Sequence, residues 1–152
     1  DARMDLEGAS VLDLYAGSGA LGLEALSRGA SHVVLVESDA AAARVVGANV
    51  EATALPGASV RRAQVESVVG GAADREYDLV VADPPYAVDD DTVAAVLTSL
   101  RDNGWVGEGS IVVLERSSRS PATSWPEGFD GRKGKKYGET RIELATCYGL
   151  DS

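Results

Sequence analysis

Four consecutive residues, Asp83-Pro84-Pro85-Tyr86, combine a carboxylate, two backbone positions without a donor and a flat aromatic ring. Proline locks φ and carries no N–H. The result is a stiff, acceptor-rich corner beside an apolar plate, suited to a planar molecule that bears an amine. The corner follows Tyr77–Ala82, a short apolar run that reads as a buried parallel strand. Open α/β sheets bind ligands at the carboxyl ends of such strands. Taken alone, the same four residues also fit an ordinary strand-ending turn.

A second constellation lies near the start. Gly17-Ser18-Gly19-Ala20-Leu21-Gly22 fits G-x-G-x-x-G, and Glu37 ends the next strand 20 residues after Gly17. Glycines in that turn let the backbone approach a ligand, and the acid can accept hydrogen bonds from ribose hydroxyls. The pattern fits NAD, FAD or S-adenosylmethionine, and it also fits a glycine turn used only for helix–strand packing. Asp13, four residues before Gly17, separates the cofactors by charge. A carboxylate there would repel a pyrophosphate, which prefers a helix N-terminus. It would suit a cationic sulfonium and ammonium, directly or through water. No Tyr-x-x-x-Lys accompanies the loop, which disfavours an NAD-dependent oxidoreductase.

The elements that must position these residues alternate along the chain. Strand patterns cover Ser10–Tyr15, His32–Glu37, Ala58–Ala63, Tyr77–Ala82 and Ser110–Glu115. Helical patterns cover Ala20–Arg28, a segment from Asp39 as N-cap to Ala52, a short turn at Glu66–Gly70, and Asp91–Asn103. The acidic run Asp89-Asp90-Asp91 complements the dipole of that last helix and is read as capping, not metal binding. Two extended runs, Phe129–Tyr137 and Thr140–Cys147, join at Gly138. The order predicts an α/β doubly wound sheet, mostly parallel and seven-stranded, with an antiparallel C-terminal hairpin and helices on both faces.

With 152 residues the chain is expected to form one domain, residues 1–152, with 45% hydrophobic and 25% charged residues. Single Cys147 and His32 leave no disulfide and no zinc set, so no metal is expected. Cys147 reads as a small buried hydrophobe, Trp105 as a packing residue, and Trp125 as a loop residue. His32 has no partner legible in the sequence. Without an apolar run of about 18 residues, no membrane segment is expected, and the protein is placed in the cytoplasm. The net charge of −10 argues against nucleic acid, but its distribution does not. Residues 116–141 hold seven Lys and Arg against three acids, which leaves +4 there and −14 elsewhere. Arg132, Lys133, Lys135, Lys136 and Arg141 are therefore candidates for phosphate contact, against a plain solvated surface.

Asp13-Leu14-Tyr15-Ala16-Gly17-Ser18-Gly19-Ala20-Leu21-Gly22, Glu37, Asn49 and Asp83-Pro84-Pro85-Tyr86 resemble the class I S-adenosylmethionine-dependent methyltransferases that modify exocyclic amines. More narrowly, the chain resembles the bacterial family that methylates a guanine N2 in 16S rRNA. The ending Lys135-Lys136-Tyr137-Gly138-Glu139-Thr140-Arg141 is similar to that family's closing hairpin. The resemblance implies a Rossmann-like fold, S-adenosyl-L-methionine as cofactor with S-adenosyl-L-homocysteine as product, and a monomer acting on the small ribosomal subunit. It implies that Asp13, Tyr15, Ala16, Gly17, Ser18, Gly19 and Gly22 hold the methionine portion, and Glu37 with Ser38 the ribose. Asp83, Pro84, Pro85 and Tyr86 would hold the target guanine. Two departures stand out. The family's acid after the third strand is replaced by Ala63-Gln64-Val65, so Gln64 and Val65 fall to the adenine. The basic N-terminal arm is also missing before the first strand, which suggests a fragment of a slightly longer protein. Other readings stay open: an amine methyltransferase for DNA adenine, another RNA base or a protein amide, or a non-catalytic cofactor-binding module in ribosome assembly.

Overall fold

A computed structural model describes residues 6–149 of the chain. The stretch before Leu6, which bears on the expectation of a missing arm, lies outside the described residues. Strands β1 (Ser10–Leu14), β2 (His32–Val36), β3 (Ala58–Arg61), β4 (Leu79–Ala82) and β5 (Ile111–Ser117) run parallel in the order β3-β2-β1-β4-β5. The chain winds outward from β1 to β3, then returns to β4 on the other side of β1. That reversal is a topological switch point, and it sits between the glycine loop and the Asp83 corner.

The antiparallel end departs from expectation. The sheet has eight strands, because the run predicted over Phe129–Tyr137 splits into β6 (Phe129–Gly131) and β7 (Lys135–Tyr137). Both pair with the long β8 (Thr140–Cys147), which itself pairs with β5. Arg132 to Gly134 interrupts the run, while Gly138 takes φ +62° in the two-residue turn into β8. Hairpin turns of that length require positive φ, which glycine tolerates without a Cβ clash.

Four helices cover the sheet: α1 (Ala20–Ser27), α2 (Ala40–Thr53), α3 (Val65–Val69) and α4 (Asp90–Asp102). Alternation along the strands divides the core. Leu12, Leu14, Val34, Val36, Val80 and Leu114 face α3 and α4, where Val68, Leu97 and Leu100 meet them. Val11, Val33, Leu35 and Val81 face α1 and α2 through Leu26 and Val46. Trp105 is buried and donates its indole N–H to the Gly71 carbonyl at 2.9 Å, so it is a packing residue. Trp125 tilts against Phe129, and Cys147 is buried, which pushes its thiol up to about 11. His32 has gained a partner, Tyr77 Oη at 3.3 Å, itself bonded to Asp74.

The helix starts follow local chemistry. Asp39 caps α2 by accepting from Ala42 N at 2.8 Å, and Asp89 caps α4 by accepting from Thr92 N at 2.8 Å. Helix α1 has no side-chain cap; its N-cap is Gly19 at φ +85°. Instead, the Gly22 amide in its first turn donates to the Asp13 carboxylate at 3.0 Å.

Candidate active site

Strand alternation also orders the acids. Asp13 lies on the α1/α2 face with Val11, and extending the pattern by one residue places Glu37, Asp83 and Glu115 on that same face. Four carboxylates thus stand at the carboxyl ends of four adjacent strands, in the order Glu37, Asp13, Asp83, Glu115. Parallel pairing with close strand spacing brings them within electrostatic reach of one another.

Two clefts open along this row. The first, of about 440 Å³, is lined by Tyr15, Gly17, Glu37, Ser38, Gln64 and Val65 together with the Asp83–Tyr86 corner. Glu37 is oriented by the backbone: one oxygen accepts from Gly17 N and the other from Asp39 N, both at 2.8 Å. Asp13 is buried and accepts from Gly22 N at 3.0 Å, so it supports the loop from behind. Its burial raises the carboxyl to about 6, the Gly22 hydrogen bond opposes that, and the charges of Asp83 and Glu37 add to it. Gly19 and Gly22 are likewise buried and shape the loop from within. A Cβ at Gly22 would lie 2.8 Å from Leu35 Cδ2 and 3.1 Å from Asp13 Oδ2. Ser18 is exposed, and its carbonyl accepts from Asn49 Nδ2 at 3.0 Å.

Of the residues predicted to hold a cofactor, the cleft gathers Tyr15, Gly17, Glu37, Ser38, Gln64 and Val65. Asp13, Gly19 and Gly22 stand behind it, with Ala16 half-buried in the loop between. Tyr15 takes φ +60°, and its hydroxyl is buried with no hydrogen-bond partner among the described residues. Burial, helped by Glu66, pushes the phenol up to about 12, so it stays neutral. The donor set fits S-adenosylmethionine. Among the described residues, no Lys or Arg lines this cleft, while Glu37 and Asp83 do. A cation with a ribose diol suits such walls, and a pyrophosphate does not.

The second cleft, of about 660 Å³, lies across the corner and shares Asp83, Pro84 and Tyr86 with the first. Its far wall is β5 and the segment after it: Glu115, Arg116, Ser117 and Ser120. Partial desolvation raises the Asp83 carboxyl above the usual carboxylate range. Tyr86 is 89% exposed and extends over the cleft, its hydroxyl 3.4 Å from Ser117 Oγ. Val88 N bonds the Pro85 carbonyl at 3.0 Å, closing the corner into a turn. Arg116 then ties that turn to β5, donating to Asp90 at 2.7 Å and to the Val88 carbonyl at 3.3 Å. Glu115 and Arg116 were missed in the sequence. The signal was available: Glu115 closes the apolar part of its strand as Asp83 follows that of its own.

The basic segment divides. Arg132, Lys133, Lys135 and Lys136 are exposed on the β6–β7 edge. Arg141 is not available to phosphate, which corrects the expectation for it. Strand β8 alternates strictly, and Arg141 falls on its buried side at 6% exposure. Its guanidinium bonds Glu143 at 2.9 Å and the carbonyls of Ser120 and Pro121 at 2.7 and 2.8 Å. Glu143 also accepts from Thr123, so this pair fastens the 117–125 loop to the sheet. Among the described residues, no group of three His, Cys, Asp or Glu could hold a metal ion, and no helix is long and apolar enough to cross a membrane.

Comparison with known proteins agrees with this architecture. Residues 2–146 match the family described as Conserved hypothetical protein 95. The chain belongs to that family. Proteins similar to it include the Escherichia coli (strain K12) protein named Ribosomal RNA small subunit methyltransferase D, 29% identical over 90% of this chain and 67% of that protein. The Bacillus subtilis protein YlbH, provisionally named an rRNA methyltransferase, is 37% identical over 72% of this chain. The chain spans 60% of the length of YlbH. Among solved structures, the Escherichia coli protein yhhF, provisionally titled a methyltransferase, superposes with a TM-score of 0.88 at 27% identity, covering 95% of this chain and 80% of that one. A conserved hypothetical protein of Streptococcus pyogenes gives 0.83 at 30% identity over 93% of this chain and 87% of that one. At 14% identity, the magnesium protoporphyrin IX methyltransferase of Synechocystis, solved with bound SAM, shares the fold at a TM-score of 0.71. The fold is that of the class I S-adenosylmethionine-dependent methyltransferases.

Proposed function

We propose that this chain transfers a methyl group from S-adenosyl-L-methionine to the exocyclic N2 amine of a guanine in 16S rRNA of the small ribosomal subunit. One observation carries the reading: Asp83, Pro84 and Tyr86 form the shared wall of the two clefts. A donor on the glycine-loop side and an amine on the other side meet at that wall. The name of the Escherichia coli relative supports small-subunit rRNA as the substrate, and the exposed Arg132, Lys133, Lys135 and Lys136 offer a surface for phosphate.

When bound, the cofactor supplies an electrophilic methyl on a cationic sulfur. Glu37 would hold its ribose, the Tyr15–Gly17 turn its methionine portion, and Gln64 with Val65 its adenine. The protein's work is on the amine. A guanine N2 lone pair is delocalised into the ring and nucleophilically weak. The Asp83 carboxylate and the Pro84 carbonyl accept its two N–H bonds, which favours a pyramidal nitrogen with the lone pair aimed across the wall. Positive charge developing on nitrogen then meets preorganised acceptors. Once the N–CH₃ bond forms, one N–H proton must leave. Asp83, whose proton affinity is raised by its surroundings, is the placed acceptor. Tyr86 stacks on the base, a contact worth about 1–3 kcal/mol, and a paired guanine must first leave its helix.

The test is methyl transfer from labelled donor to small subunits and to naked 16S rRNA, followed by digestion to nucleosides. Label in N2-methylguanosine is the expected result. Label in another nucleoside, or none despite saturable cofactor binding, would overturn the reading.

A further inference from the structure

Glu115 has no role in the chemistry above, yet it stands inside the acceptor cleft. The pairing Ala82↔Leu114 puts Asp83 and Glu115 level, one residue further along adjacent parallel strands. Their spacing is then about 4.8 Å, with both side chains on one face of the sheet. Neither carboxylate takes part in any hydrogen bond or ion pair among the described residues. Arg116, the nearest cation in sequence, is already engaged by Asp90. Asp83 is exposed and Glu115 half-buried, so two like charges stand side by side with their acceptors open to a ligand that brings donors.

Guanine presents such an edge. Its N1–H and its N2 amine are adjacent donors, whereas adenine presents one amine next to a bare, accepting N1. Ionised carboxylates only accept. We infer that Glu115 is a specificity-determining residue that accepts the N1–H of the target guanine while Asp83 holds the neighbouring amine. This rests on the guanine reading above and adds the reason for it. A purine with a bare N1 meets the lone pairs of Glu115, and a polar group facing the wrong partner is how such sites reject near-isosteres.

The experiment uses an rRNA fragment that the chain methylates, synthesised with guanine or with 2-aminopurine at the modified position. 2-Aminopurine keeps the N2 amine and lacks the N1 proton. The chain should prefer guanine by about 10- to 100-fold in kcat/KM, as expected for loss of one hydrogen bond to a charged group. Glu115→Gln, whose amide can donate to a bare N1, should narrow or invert that preference while cofactor affinity holds. Glu115→Ala should lower it without inversion. Because the readout is a ratio within one variant, partial unfolding cancels. A ratio unchanged in both variants overturns the assignment of Glu115. If the unaltered chain places no methyl on guanine N2 in any rRNA, the functional reading fails instead.

Discussion

On the glycine-loop side of the clefts both acids are occupied before any ligand arrives: Glu37 by the amides of Gly17 and Asp39, Asp13 by that of Gly22. On the acceptor side, Asp83 and Glu115 accept nothing from the described protein. The first pair is oriented by backbone groups no more than 20 residues away. The second comes together only because β4 and β5 are paired, and its neighbours arrive from residues 117–120 and 139–140. The contrast teaches where each half spends its electrostatics. Glu37 and Asp13 hold the loop in shape, so fold and binding are coupled there. Asp83 and Glu115 are held by strands that would form without them, and their unmet acceptors are left for a substrate.

The largest expected effect breaks the acceptor side alone. Asp83→Ala should reduce single-turnover methyl transfer by about 10²–10⁴-fold, with cofactor affinity by calorimetry and Tm near those of the parent. A comparable loss of cofactor affinity would erase the contrast.

Asp13→Asn should act on the other half and in two directions. The folded carboxyl is raised to about 6 from 3.8, so its ionised form is penalised in the native state. That cost is present in full above pH 6 and vanishes below the unfolded value. The amide, which still accepts from Gly22 N, should therefore stabilise the protein at pH 7–8 by roughly 2–3 kcal/mol. The gain should shrink between pH 6 and 4 in denaturant titrations, while cofactor affinity falls above pH 6, where the parent side chain is charged.

Gly22→Ala is a smaller change on the same side. Its Cβ would press on Leu35, which is fully buried and has nowhere to retreat. A loss of about 1–2 kcal/mol is expected after the helix-propensity gain, with weaker cofactor binding in the same titration. The smallest effect belongs to the rim. Replacing Lys135 and Lys136 by Ala should lower the slope of log affinity for rRNA against log salt by about one to two units. Stability should not change, because both side chains are exposed.

Much of this was legible beforehand because it is local. Helix caps at Asp39 and Asp89, the glycine loop and the corner each depend on residues within one turn of each other. Arg141 shows where that ends. As one cation in a basic run it looked like its neighbours, but β8 alternates, and a position one residue from Thr140 is turned inward to Glu143. The split of β6 from β7 was hidden for a similar reason: extended pattern does not reveal where a ladder breaks.

By itself the sequence determined the doubly wound order, the loop that favours a cationic cofactor, and the acceptor-rich corner, since periodicity and turn chemistry are properties of neighbouring residues. Only the tertiary structure decided that the two clefts share one wall, that Glu115 stands level with Asp83, and that Arg141 is structural. Those facts depend on strand register and on which face each side chain takes, and both are set by pairing between segments far apart in the chain.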